Sequence, residues 1–300
     1  MTHPQIGFIG LGFMGHGMAR NILASGQPLR VMAHRRREAV DDLVSNGAVE
    51  APDLAGLAGV CDVIVLCVTG AEQVDDLVRR ENGIGAHARA GTTIIDCTTS
   101  RPDTIRALAQ DFPALTFIDA PLGRSPKEAW AGTLSVMVGA SEAALAHVRP
   151  VFDAFTDTVQ HVGPLGAGHM LKLVNNMVSL GYAALYAEAV VMAKKAGIAP
   201  EAFDKLISSS RMDCEFFQSF MGWVRTGDAT THKFALSLAE HVLADADAEA
   251  RAAGMDLGLL QATRDIYAEA IKNGDAQANL PELPRSLATK YDVTLRSDGG

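Results

Sequence analysis

The chain has 300 residues, 48% hydrophobic and 20% charged, and its 26 basic and 35 acidic side chains leave a net charge of −9. That composition excludes disorder, collagen and coiled coil, leaves room for two domains of roughly 150 residues each, and disfavours a nucleic-acid partner. No apolar run approaches the ~18 uninterrupted residues of a membrane helix, since even residues 60–68 contain Asp62. Met1-Thr2-His3-Pro4 lacks a charged segment with an apolar one behind it, so no membrane partner and a cytoplasmic location are expected. Cys61, Cys67, Cys97 and Cys214 show no CxxC spacing and read as reduced thiols, with no metal site.

In chain order, β-branched runs at 6–9, 29–33, 63–68, 92–96, 116–120, 134–138 and 158–162 alternate with amphipathic stretches. This is the pattern of a parallel sheet wrapped by helices. Helices over 12–25 and 36–46 stop at Gly26 and Gly47, as a left-handed C-terminal cap prefers. Gly163-Pro164-Leu165-Gly166-Ala167-Gly168 is the richest breaker cluster, and strand-like runs hardly occur beyond it. The boundary falls there, dividing 1–164 from 165–300. From 168 to 196 the only internal breaker is Gly181, which predicts roughly 40 Å of helix, ending at Gly197. Its apolar residues cover nearly every face, so it is expected to be buried on most sides, between domains or between subunits of a homodimer or homotetramer. Further helices are expected from Pro200, over 234–253 and over 257–273. The fold class is α/β, a doubly wound parallel sheet with a second, all-α domain joined to it by the long helix.

Gly10-Leu11-Gly12-Phe13-Met14-Gly15 is a GxGxxG that follows a strand and opens a helix. In that context Gly10 can make the tight turn, Gly12 can let backbone approach a pyrophosphate, and Gly15 can let helix pack on strand, with the free amides of the helix start facing the phosphates. A turn needing positive φ and nothing more is the plainer alternative. About 20 residues on, where a carboxylate would hold the ribose 2′-hydroxyl of NAD, stand Ala33-His34-Arg35-Arg36-Arg37. Guanidinium forks suit a 2′-phosphate, so NADP is expected over NAD, with Arg35 and Arg36 as the clamp and His34 beside them. Alternatively the arginines solvate a helix start, where the helix dipole disfavours positive charge.

Gly7-Phe8-Ile9-Gly10-Leu11-Gly12-Phe13-Met14-Gly15, Asp119-Ala120-Pro121, Gly132-Thr133-Leu134 and Lys172-Leu173-Val174-Asn175-Asn176 together resemble the β-hydroxyacid dehydrogenase family, over nearly the whole chain. The resemblance implies a Rossmann-type domain joined by a long helix to an all-helical one, and interconversion of a 3-hydroxy acid and a semialdehyde by a nicotinamide cofactor without metal. It implies that Lys172 is the catalytic lysine. By spacing alone Lys172 could equally be a snorkelling surface lysine. Asn176, one turn further on the same face, is expected to hold the substrate oxygen. Cys67, Val68 and Thr69 match residues lining the adenine and ribose side, and Thr99, the better of the Thr98-Thr99 pair, matches a residue near the nicotinamide.

Two departures concern the substrate. The family's Asp-x-Pro-Val-Ser-Gly-Gly loop reads Asp119-Ala120-Pro121-Leu122-Gly123-Arg124-Ser125 here. Arg124 suggests an anion larger or harder than a lone carboxylate, such as a sulfonate or a second carboxylate, and the sulfolactaldehyde reductase branch looks similar, with Gly-Arg-Thr at that place; an Arg124 turned to solvent is the alternative. Leu122, Gly123, Arg124 and Ser125 are thus the expected lining for a small anionic aldehyde or hydroxy acid. Where the family has Lys-Asp in its C-terminal domain, this chain has His241-Val242, and His241 is either a substrate contact or a satisfied buried histidine. Imine reduction on the same fold and an inert dinucleotide-binding scaffold are the competing functions; both typically lack the lysine.

Overall fold

The computed structural model describes residues 4–34 and 37–296. The chain divides into two compact units, Met1–Lys172 and Leu173–Gly300.

The first unit runs β1 (Ile6–Ile9), α1 (Gly15–Ala24), β2 (Leu29–Val31), α2 (Glu38–Ser45), β3 (Val49–Glu50), α3 (Leu54–Ala58), β4 (Val63–Leu66), α4 (Ala71–Arg79), α5 (Ile84–His87), β5 (Thr93–Asp96) and α6 (Pro102–Asp111). It continues through β6 (Thr116–Asp119), β7 (Leu122–Gly123), α7 (Pro126–Ala131), β8 (Leu134–Gly139), α8 (Glu142–Asp153) and β9 (Thr156–Gly163). Among the described residues the strands form one sheet in the order β3-β2-β1-β4-β5-β6-β8-β7, with β9 beside β8. The first six strands are mutually parallel, and β8 runs antiparallel to β6 and β7.

Alternation along the strands sorts side chains to two cores. Ile6, Phe8, Val63, Val65, Ile95 and Ile118 pack under α1, α2, α7 and α8. Ile9, Ile64, Leu66, Ile94 and Phe117 pack under α3, α4, α5 and α6. Both faces of the central strands are therefore apolar, which is what a doubly wound sheet demands.

The helix α9 (Ala167–Lys195) leaves the first unit and continues into the second, followed by α10 (Pro200–Ser208), α11 (Glu215–Phe220), α12 (Gly222–Thr226), α13 (Leu236–Ala252), α14 (Gly258–Ala270) and α15 (Leu283–Lys290). In the second unit Leu173, Leu180, Ala183, Ala187 and Val190 of α9 form a core with Phe217, Phe220, Leu243, Leu260 and Tyr267. The buried Tyr267 hydroxyl donates to the Leu180 carbonyl at 3.0 Å.

The two-residue strands β3 and β7 depart from the sequence expectation, being too short for a period-2 signal. In the single chain the long helix leaves Val174, Val178, Tyr182, Leu185 and Met192 exposed along one stripe. By length and composition, with a mean hydropathy of 1.2, α9 is the one described helix that could cross a membrane; a count of uninterrupted apolar residues does not see it, and its place in the second core accounts for its composition.

Candidate functional site

The three glycines of the first loop differ physically. Gly10 has φ +101°, and a side chain there would stand 2.1 Å from the Cys67 carbonyl oxygen. One at Gly15 would stand 2.0 Å from the Gly10 carbonyl oxygen. These two are fixed by packing. At Gly12 nothing lies within 4 Å of where a side chain would begin, so the fold leaves free the one position that must admit a phosphate group, at the start of α1 where the helix dipole favours an anion. The residues present thus fit a dinucleotide. Leu11 and Met14 are half-buried, and Phe13 is exposed.

Neighbouring loops are stitched to this one. The Cys67 N–H donates to the Ile9 carbonyl at 2.9 Å, and the Val68 N–H donates to the Thr98 hydroxyl at 3.2 Å. Burial pushes the Cys67 thiol up to about 12, so it stays un-ionised and inert. Thr69 is exposed and Thr99 half-buried. His34 is exposed, while Arg35 and Arg36 lie outside the described residues. Arg37 is committed elsewhere: its guanidinium meets both Glu50 carboxylate oxygens at 3.0 Å and Asp41 at 3.0 Å.

The loop after β6 is built around its glycine. A side chain at Gly123 would stand 2.3 Å from the Ser135 hydroxyl, its cross-strand partner on β8. Ser135 thus occupies the space of the serine that the family pattern has at 123, and sequence reasoning did not single it out. Leu122 is buried, and its carbonyl accepts from Lys172 Nζ at 2.8 Å. The Lys172 side chain is half-buried, and burial holds its pKa below the usual lysine value. Arg124 has φ +75°, a left-handed conformation uncommon outside glycine. Its guanidinium donates to the Asp157 carboxylate at 2.5 Å and to the Thr133 carbonyl. Ser125 caps α7: its N–H donates to Glu128 at 3.0 Å and its hydroxyl to the same carboxylate.

Beneath the lysine lies a buried polar cluster that no sequence motif announced as such. Asp119 accepts the N–H of Gly166 at 2.6 Å and that of His169 at 2.7 Å, capping the start of α9 with a carboxylate where the helix dipole favours one. Burial nevertheless pushes the Asp119 carboxyl up. Asp96, its register partner on β5, accepts the Thr98 N–H at 2.9 Å, and burial raises its pKa to about 7. The His169 ring lies 3.6 Å from Asp96, with both side chains fully buried, and burial lowers the imidazole pKa to about 3. The signal that could have found this cluster is three titratable residues at strand ends and a helix start, inside otherwise apolar runs.

In the second unit, Asn176 is buried with its Nδ2 unpartnered, whereas Asn175 is exposed. His241 on α13 is exposed, 3.7 Å from Asp245, so it is not a satisfied core histidine.

Residues 5–163 match the NAD binding domain of 6-phosphogluconate dehydrogenase, and residues 166–286 match the NAD-binding domain of NADP-dependent 3-hydroxyisobutyrate dehydrogenase. The chain is 35% identical over 209 residues to 2-(hydroxymethyl)glutarate dehydrogenase of Eubacterium barkeri, covering 69% of each. It is 31% identical to 3-sulfolactaldehyde reductase of Escherichia coli over 97% of this chain and 98% of that one. The structure of 3-hydroxyisobutyrate dehydrogenase of Mycobacterium tuberculosis superposes with a TM-score of 0.83 at 27% identity, covering 95% of this chain and 99% of that one. These relatives are dehydrogenases and reductases that share the nucleotide-binding unit followed by a helical one, and the chain belongs to the β-hydroxyacid dehydrogenase family of NAD(P)-dependent oxidoreductases acting on CH–OH groups.

Proposed function

We propose that the chain is a cytoplasmic, NADP(H)-dependent reductase that interconverts a small anionic aldehyde and its 3-hydroxy acid or hydroxysulfonate, with Lys172 as the general acid and base. The observation that carries this reading is the Lys172 amine, tethered to the Leu122 carbonyl at 2.8 Å and shifted by burial, with no carboxylate partner among the described residues. Such an amine gives up its proton more readily than an exposed lysine.

The Gly10–Gly15 amides would hold the pyrophosphate, Cys67, Val68 and Thr69 the adenosine side, Thr99 the nicotinamide side, and Arg35 and Arg36, with His34 beside them, the 2′-phosphate. When bound, the reduced nicotinamide supplies hydride to the aldehyde carbon. Lys172 Nζ–H donates its proton to the carbonyl oxygen as negative charge gathers there, leaving a neutral amine that water reprotonates. In the oxidative direction the neutral amine takes the hydroxyl proton. Asn176, four residues along α9 and so on the same helical face, offers its unpartnered Nδ2 to the same oxygen.

Arg124, with Leu122, Gly123 and Ser125 around it, is assigned the substrate anion. The Arg124–Asp157 pair is 40% and 44% exposed, so solvent screens it, and a charge-assisted bond to a desolvated anion outweighs it. Recruiting Arg124 therefore costs little. The left-handed backbone at Arg124 supports the reading too, since strain persists where function needs it. Arg124→Gly relieves that strain. It should leave Tm unchanged or higher while raising KM for the anionic aldehyde at least about tenfold; an unchanged KM removes Arg124 from the site.

With Arg37 committed to Glu50, Arg35 and Arg36 remain for the 2′-phosphate. Replacing both by Ala should raise KM for NADPH about tenfold or more and leave KM for NADH within about twofold; equal effects on the two cofactors would sink the NADP reading. The whole proposal is tested by a panel of 3-sulfolactaldehyde, tartronate semialdehyde, succinic semialdehyde and methylmalonate semialdehyde with NADPH and with NADH, followed at the nicotinamide absorbance. Oxidation of neither cofactor with any aldehyde overturns it. The exposed stripe on α9, from Val174 to Met192, is assigned to a homodimer or homotetramer contact.

A further inference from the structure

Asp119, Asp96 and His169 lie outside every role assigned above, yet all three are fully buried. Polar side chains are normally buried only with partners. The carboxylate of Asp119 meets this rule through two backbone N–H groups. Asp96 Oδ2 and both ring nitrogens of His169 do not, for none has a hydrogen-bond partner of standard geometry. These atoms face one another, Nε2 to Oδ2, at 3.6 Å, and a shortening of roughly half an ångström makes a hydrogen bond.

We propose that His169 is a positioning residue, the joint that registers the loop after β5, with Thr98 and Thr99, against the turn of α9 that carries Lys172. The inference rests on the reading of Lys172 as the proton donor. From the Val68 N–H to the Thr98 hydroxyl is 3.2 Å, and from the Thr98 N–H to Asp96 Oδ1 is 2.9 Å. Asp96 Oδ2 meets the His169 ring, and the His169 N–H binds Asp119 at 2.7 Å. Lys172 follows three residues later on α9, one turn along the same side, with Nζ on Leu122 at 2.8 Å. One run of contacts thus joins the loops after β4, β5 and β6 to the lysine.

The protonation states make the joint work without a buried charge pair. Burial holds the imidazole neutral and the Asp96 carboxyl protonated up to about pH 7. Asp96 Oδ2–H then donates to Nε2, and backbone groups of Asp96, Thr98 and Arg101 lie near the ring. The other ionisable groups facing the pair act in the same direction: Asp119 favours the protonated carboxyl, and Arg106 on α6 favours the neutral imidazole. Cys67 and Cys97 beside Asp96 are un-ionised thiols.

The test uses the full chain. His169→Phe keeps a ring of similar size and removes its hydrogen bonding; His169→Gln keeps an amide that can donate and accept. With the aldehyde of the panel turned over fastest, kcat of His169→Phe should fall on the order of 10- to 100-fold with little change in KM for that aldehyde, and His169→Gln should recover most of it. Retention of wild-type kcat in folded His169→Phe, or equal loss in both variants, overturns the proposal. Should His169→Phe not fold, nitrogen-15 spectra of the unliganded chain decide. One histidine should stay neutral in a single tautomer from about pH 5 to 8, and Asp96→Ala should move its ring resonances; unmoved resonances overturn the proposal. Lys172→Met measured alongside separates the two readings. If that variant is active, the general-acid assignment fails. If it is inactive while His169→Phe is not impaired, the positioning role alone fails.

Discussion

Replacing Lys172 by Met should lower kcat by about 10³-fold or more while leaving dissociation constants for NADPH and NADH within about twofold of wild type. The magnitude follows from removing the proton donor together with the cation nearest the developing alkoxide, two effects each worth roughly 10²-fold or more. The affinity should hold because the proposed pyrophosphate contacts at Gly10–Gly15 and the loops after β4 and β5 are not partners of the lysine's amine, whose hydrogen bond among the described residues goes to the Leu122 carbonyl. Stability should not fall either, since methionine removes the burial penalty that lowers the lysine's pKa and leaves behind one backbone carbonyl. Stopped-flow single turnovers and fluorescence titration of the reduced cofactor separate the two quantities. An active Lys172→Met enzyme, or one that has lost its cofactor, refutes the role.

Two glycines of α9 should answer the same substitution with opposite signs. At Gly168 an alanine methyl would stand 2.3 Å from the Met137 carbonyl oxygen and 2.9 Å from Asp119 Oδ2, so backbone of β8 or the cap of α9 must give way. Gly168→Ala should destabilise the first unit by about 3 kcal/mol and depress kcat, because the turn that moves is the one that leads to Lys172. At Gly181, by contrast, the nearest atom stands 4.0 Å away, on the side chain of Thr263. There alanine should stabilise by about 0.5–1 kcal/mol through helix propensity. Denaturant unfolding of the two variants beside wild type checks both, and a stable Gly168→Ala would mean that the cap of α9 is not tight.

The periodicity of the first half was legible because central parallel strands are apolar on both faces and their helices end on glycines that need positive φ: Gly26 and Gly47 have it, as does Gly197 after α9 in the second unit. The loop Gly10–Gly15 was legible by its spacing: Gly10 and Gly15 have no room for a side chain, while Gly12 stands open. Less legible was anything that depends on which residue faces which. Ser135 fills the space beside Gly123 across a two-residue strand that carries no pattern of its own. Arg124 reads in sequence as an unpaired cation, but Asp157, 33 positions away, meets it on the surface. The exposed stripe of α9 is likewise invisible in a helix apolar on most faces. His169 reads as one polar residue in a helix start, and only the fold brings it to Asp96.

That last encounter has a thermodynamic consequence. In the unfolded chain, between about pH 4 and 6.5, Asp96 is ionised and His169 protonated; in the folded chain the carboxyl, with its pKa near 7, keeps the proton and the imidazole, with its pKa near 3, does not. Each state holds one proton, so folding passes it from ring to carboxyl and exchanges none with solvent. The raised carboxyl alone would stabilise below about pH 4 and lose that stability as pH rises through about 7; the depressed imidazole alone would stabilise above about pH 6.5 and lose it as pH falls toward about 3. In the window between, the slopes cancel. Asp96→Asn should uncover the histidine's slope, stability falling by up to about 1.4 kcal/mol per pH unit on acidification, and His169→Gln the opposite slope. The two residues together act as an internal proton buffer for the folding reaction, so this pair adds no pH dependence of its own to stability across that acidic range.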